Sequence, residues 1–274
     1  MATITAADVN KLRKQTGAGM MDCKKALVEA EGNFEEAISI LRKKGQKVAA
    51  NRADRETTEG CALAATSADN TFAAIVAVSC ETDFVAKNED FVGLTQRILD
   101  IAMENKPADA EALKALSFDG EITIAEKLIE QNGVIGEKIE LAAYETLSAP
   151  YAAFYIHMNN KLATIVGLNE EAEEAAKDVA MQAAAMNPVA LNRDSVSADI
   201  IAKELEIGKE LARQEGKPEE MLDKIAEGRL NKFFKESTLV DQDFIKDGKL
   251  TVSKYLDTVK KGLHIVDYKR VALG

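Results

Sequence analysis

Two histidines, His157 and His264, and three cysteines, Cys23, Cys61 and Cys80, are the side chains of this 274-residue chain best suited to nucleophilic or metal chemistry. Neither histidine has a cysteine or aspartate at a spacing that builds a nucleophile site. No GxxxxGK(S/T) phosphate loop, HExxH pair or nucleophile elbow occurs. Glu170, Glu171, Glu173 and Glu174 stand together at a helix start, where carboxylates favour the macrodipole, and a solvated first turn accounts for them. The chain is therefore expected to be no enzyme and to hold no metal or cofactor; an unrecognised enzyme using His157 or Cys80 is the rival. What remains is Thr82-Asp83-Phe84-Val85, after the β-prone run 72–78 and before Phe91, Leu94, Ile98 and Ile101, an apolar stripe at helical spacing. An aromatic beside a carboxylate, on a loop between strand and helix, is suited to recognition. It is a wedge for another protein or a plug for its own core.

The elements that position this loop begin with the first 45 residues, which read as a three-helix bundle. Thr5 with Asp8 makes a capping-box-like start, Thr16-Gly17-Ala18-Gly19 breaks the first helix, and Asp22 opens a second that stops at Gly32. Asn33, with Glu36 three residues on, caps a third helix that Gly45 ends. So small a bundle leans on a partner or on the rest of the chain. Residues 47–59 are polar and read as a linker, which divides the chain into 1–55, 56–147 and 148–274.

Beyond the linker a pattern repeats. Strands at 60–66 and 72–78 flank a turn at Ala68-Asp69-Asn70, and a polar stretch and a helix to Ala102 follow. Strands at 151–157 and 162–168 flank a turn at Asn159-Asn160, again with a polar stretch and a helix, to Met186. Third strands are expected at 138–145 and 263–271. The fold class is α+β: a bundle, then two related subdomains, each a small antiparallel sheet with helices on one face. The second carries an inserted antiparallel helical hairpin at about 197–236. Gly216 ends its first helix and Pro218 sits in the first turn of its second. Ile201, Leu205, Gly208 and Ala212 form the stripe that covers Leu222, Ala226, Leu230 and Phe233.

Composition excludes other classes. Apolar residues at 46% with 30% charged describe a folded soluble chain. No apolar run approaches the ~20 residues of a membrane span. The N-terminus has no signal or transit segment, and few, widely spaced cysteines fit reduced thiols, so a cytoplasmic location is expected. A net charge of −11 argues against direct nucleic-acid binding. Residues 1–55 carry +4 and the remainder −15, which suits a partner of mixed surface charge or simply ordinary solvated faces.

Two motifs carry a resemblance. The run from Leu12-Arg13-Lys14-Gln15-Thr16-Gly17-Ala18-Gly19 through Met20-Met21-Asp22-Cys23-Lys24-Lys25-Ala26-Leu27 is similar to the N-terminal signature of the elongation factor Ts family. Thr82-Asp83-Phe84-Val85-Ala86-Lys87 resembles that family's second signature. The bundle also resembles ubiquitin-associated (UBA-like) domains, for which a plain interaction scaffold is the reading to weigh. The family resemblance covers nearly the whole chain and implies a guanine-nucleotide exchange factor for the GTPase protein elongation factor Tu, acting in translation elongation.

By that resemblance Arg13, Met20, Met21 and Lys24 face the partner's GTPase domain. Asp83 and Phe84, flanked by Thr82 and Val85, enter the region near its magnesium. Ile135-Gly136 belongs to a contacting loop, His157 supports the same interface, and Phe244 and Ile245 lie where the family has a further apolar contact. Met158-Asn159-Asn160 departs from the family's small-residue turn after the histidine. The chain reaches Gly274 just after its final strand, so the extra C-terminal helix of some members is not expected.

Overall fold

The computed structural model describes residues 4–274. Helix α1 (Ala6–Thr16) opens with a full capping box: Thr5 accepts from the Asp8 N–H, and the Asp8 carboxylate accepts from the Thr5 N–H. Helix α2 (Met20–Glu29) starts two residues earlier than expected, at Met20, and Gly19 before it makes no side-chain cap. Asp22 does not open it; its carboxylate instead pairs with Lys44 at 2.6 Å. Asn33 caps α3 (Phe34–Asn51) as expected, accepting from the Glu35 and Glu36 N–H groups.

Gly45 does not end α3, which runs on six residues and absorbs the start of the expected linker. Glycine inside a helix costs about 1 kcal/mol relative to alanine, so a helix that keeps one has another use for it. The use is contact with α7 (Ile124–Ile135). A Cβ on Gly45 would stand 2.7 Å from the Ile129 carbonyl oxygen, and one on Gly133 would stand 2.8 Å from the Gly45 Cα. The bundle thus rests on α7 backbone to backbone, and Val134 of α7 joins its apolar core of Leu12, Cys23, Leu27 and Ala37.

Two three-stranded antiparallel sheets follow, β1 (Glu59–Thr66), β2 (Phe72–Cys80) and β3 (Glu140–Ser148), then β4 (Tyr151–Ile156), β5 (Leu162–Leu168) and β8 (Ile265–Ala272). Every residue of β2 is buried, because it is a central strand covered on both sides. Ala74, Val76, Val78 and Cys80 pack with Phe91, Leu94 and Ile98 of α5 (Glu89–Asn105). The alternate residues Ala73, Ile75 and Ala77 meet Ala152, Ala163 and Ile165 of the second sheet. That sheet's outer face is covered by α8 (Glu173–Met186), through Ala176, Val179, Ala180 and Ala183. The layers are helix, sheet, sheet, helix. Strand β3 begins later than expected because the Lys138 and Ile139 N–H groups donate to the Glu81 and Asn132 side chains, not to a ladder.

The inserted hairpin is α9 (Ala198–Gln214) and α10 (Leu222–Ser237). Gly208 lets the pair close, since a Cβ there would meet the Ala226 Cα at 3.1 Å. Gly216 turns the chain at φ +72°, but Pro218 precedes a separate 3-10 turn, Glu219–Met221, and does not enter α10. Elements not expected are α4 (Asp83–Ala86), α6 (Ala110–Ala115), α7, the short hairpin β6 (Asp243–Phe244) and β7 (Asp247–Thr251), and α11 (Val252–Val259).

The glycine contacts give a first expectation. Gly45→Ala should lower the urea midpoint by a loss of about 1–3 kcal/mol, because both helices must move. Gly93→Ala in α5 meets nothing within 4 Å and should raise stability by about 0.5–1 kcal/mol. Parallel urea titrations distinguish the two signs.

Candidate partner-binding surface

Strand β2 ends at Cys80, opposite Glu59 of β1, and the chain then leaves the sheet in extended conformation at Thr82. A single helical turn, α4, follows, and Asn88 caps α5 immediately after it by accepting from the Asp90 N–H. Val85 and Ala86 pack against the core of the first sheet. Phe84 does not: it is 84% exposed, the most exposed large apolar residue among those described. It plugs no core. Exposing so large an apolar ring forgoes about 1.5–3 kcal/mol of burial, which a surface held for contact recovers when the contact forms.

The turn beneath that ring is braced. The Glu137 carboxylate accepts from the Glu81 N–H at 3.1 Å, the Thr82 N–H at 3.0 Å and the Thr82 hydroxyl at 2.7 Å. In the opposite direction, the Glu81 carboxylate accepts from the Lys138 N–H at 2.7 Å, and both its oxygens lie 2.7 Å from Arg52 Nη1. Arg52 is the residue that closes α3. Asp83 is held by Lys87 at 2.6 Å, and that hydrogen bond keeps its carboxyl below the usual range.

Ile135 and Gly136, expected in a loop, are the last residue and the left-handed cap of α7, with Gly136 at φ +82°. Glu137 follows directly, so the structure places that segment beside the Thr82 turn. An open cleft joins them to the bundle, with Gly17, Val134, Ile135, Val85 and Phe91 along its walls. Arg13, Met20, Met21 and Lys24 are exposed on the bundle. Val28, 57% exposed, extends the Met21–Lys24 face by one helical turn; its i, i+3, i+7 spacing was available as a signal and was missed.

His157 is exposed, with Nδ1 3.1 Å from the Tyr155 hydroxyl. The turn after it takes Asn159 and Asn160 into the left-handed region, at φ +69° and +54°, a conformation asparagine tolerates. Lys161 then bonds Glu59 at 2.7 Å, which ties this turn to the strand flanking Cys80. Phe244 requires a correction: it is 3% exposed and its ring stacks on Tyr255 at 4.0 Å, so its side chain belongs to the second core. Only Ile245 beside it presents apolar surface.

The three cysteines are buried. Burial, reinforced by the Glu137 charge, pushes the Cys80 thiol up to about 12, which keeps it protonated and unsuited to nucleophilic attack. Among the described residues no group of three or more His, Cys, Asp or Glu side chains could hold a metal ion, and no helix is long and apolar enough to cross a membrane.

An exposed ring thus stands on a braced turn, beside a bundle with exposed methionines. The chain belongs to the elongation factor Ts family. Residues 81–274 match the family model described as "Elongation factor TS". The chain is similar over its full length to "Elongation factor Ts" of Christiangramia forsetii, 58% identical with 100% of each chain covered. It is 55% identical to that of Flavobacterium psychrophilum, with 100% of each covered, and 53% identical to that of Porphyromonas gingivalis, with 99% of this chain and 98% of the relative covered. By family it is an elongation factor of translation.

Glu81 supplies a pH expectation. Burial works to raise its carboxyl, but the Lys138 N–H and the Arg52 guanidinium outweigh burial and hold it below the usual value of 4.5. A carboxyl depressed in the folded state contributes stability above its unfolded value and loses it as pH falls through its folded value. Wild type should exceed Glu81→Gln in urea midpoint at about pH 7, and the gap should narrow as pH falls below 4.5.

Proposed function

We propose that this chain is a guanine-nucleotide exchange factor that binds elongation factor Tu carrying GDP and promotes GDP release. The observation that supports it is the 84% exposure of Phe84 on a turn anchored at its base. A GTPase holds its nucleotide through backbone amides, a lysine and a magnesium bridging the phosphates. Phe84, inserted between partner side chains, shifts an element that supports the magnesium, while Asp83 perturbs its hydrogen bonds. Disrupting one bonded group of such a cage costs about 1–3 kcal/mol, and each ~1.4 kcal/mol is tenfold in affinity. Burial of the Phe84 ring on the partner is of the right size to drive that change.

Arg13, Met20, Met21 and Lys24 hold the partner from the bundle while the loop acts, with Ile135-Gly136, His157 and Ile245 as further contacts. Linkage makes the effect reciprocal: a factor that loosens GDP is itself loosened by nucleotide, and so turns over. No bond of the nucleotide is made or broken.

The test is release of fluorescent GDP from purified elongation factor Tu with catalytic amounts of this protein. Release should accelerate by orders of magnitude, and an unchanged rate overturns the reading. Phe84→Ala should slow the stimulated rate about tenfold or more at unchanged urea midpoint, since the ring contributes little to the fold. Parental exchange by that variant removes the wedge.

A further inference from the structure

The turn that carries Phe84 has little of its own to hold it beyond the Asp83–Lys87 pair and one turn of backbone bonds. At four residues α4 is far below the length at which a helix is stable alone, and Thr82 makes no side-chain cap bond to it. The Thr82 hydroxyl points instead to a residue 55 positions away, Glu137. The same carboxylate takes two successive backbone donors, Glu81 and Thr82. Glu81 answers by taking the Lys138 N–H, so two neighbouring loops exchange carboxylates, each closing on the other's backbone. Arg52 adds the bundle's longest helix to the same knot.

From this exchange we infer that Glu137 and Glu81 are positioning residues for nucleotide release: they set the orientation of the Asp83–Phe84 turn before the partner arrives. This rests on the exchange function proposed above. Fixing one residue's backbone costs about 1–2 kcal/mol of entropy. A turn ordered in advance does not draw that from the contact it later makes, and its force reaches the partner undiminished. A turn freed at its base keeps its ring and its docking surfaces but loses direction. The expected signature is a lower maximal rate of GDP release with little change in the concentration of factor needed for half-maximal effect.

Four variants test this: Glu137→Ala, Phe84→Ala, the double substitution of those two, and Thr82→Val. Hydrogen exchange of the Glu81 and Thr82 amides should quicken about tenfold or more in Glu137→Ala, while strands β1 and β2 keep their protection. The maximal stimulated rate should fall about tenfold, with half-saturation within about twofold. The double variant should be no slower than Phe84→Ala alone, because a ring that is absent needs no aiming. Multiplying losses, unchanged amide exchange or an unchanged maximal rate overturns the inference. So does loss of protection throughout the first sheet, which makes Glu137 part of the fold and not of the tool. Thr82→Val, which removes one of the three donors, should lie between wild type and Glu137→Ala in both readouts, and parental behaviour counts against the clamp. If Phe84→Ala itself exchanges at the parental rate, the wedge fails while the exchange reading stands, and the amide measurement still decides whether Glu137 orders the turn.

Discussion

Where Gly45 meets Gly133, two helices touch through bare backbone, and the placement of the Phe84 turn follows from that touch. Helix α7 carries Glu137 just beyond its end, and α3 carries Arg52 just beyond its own. Both reach the turn after β2, one directly and one through Glu81. Any side chain between the two helices would push these ends apart. The glycines thus fix, from a distance, the ground on which Phe84 stands. A small bundle that could not hold a rigid relation to the sheet by its own thin core does so through this seam.

The two halves of the molecule treat equivalent segments differently. After the central strand of the first sheet the chain turns outward and exposes an aromatic. After the central strand of the second, Asn169 is tied to the backbone of His264 and Gly262, and Glu170 is paired with Lys260. One connection is stitched to its own half; the other is braced at its base and free at its tip. The seam between the sheets is built of small residues, and a Cβ on Gly167 would come within 2.5 Å of the Ala149 Cβ, so the halves sit close and cannot be repacked independently.

Much of this was legible in the sequence because its signals are local. Strand β2 is an unbroken apolar run bounded by a turn; the asparagine turns declare their hairpins; Thr5 and Asn33 cap the helices they precede. What failed needed knowledge of a neighbour. Gly45 looks the same whether it stops a helix or admits another one, and only α7 decides. Glu137 is an ordinary surface acid until the fold brings it to Thr82. Phe84 and Phe244 are both aromatics at the end of a strand-like run, yet one has Tyr255 to stack on and the other has nothing. Helix α7 has a weaker sequence signal, since a buried asparagine, Asn132, interrupts its apolar face; the amide bonds the Leu128 and Ile139 carbonyls and the Ile139 N–H.

The distribution of thiols turns the first half of the molecule into its own reporter. Cys23 lies in the bundle core, Cys61 on β1 and Cys80 at the root of the turn, and burial raises all three above the ordinary thiol range, Cys61 to about 11. A folded molecule is therefore silent to alkylating reagents at neutral pH, and each label that appears records an opening event. Cys23 times the bundle, and the other two time the sheet that bears the Phe84 turn. The hairpin and the second sheet, which contain no cysteine, leave no trace in such a record. The chain thus carries a built-in clock for its bundle and first sheet.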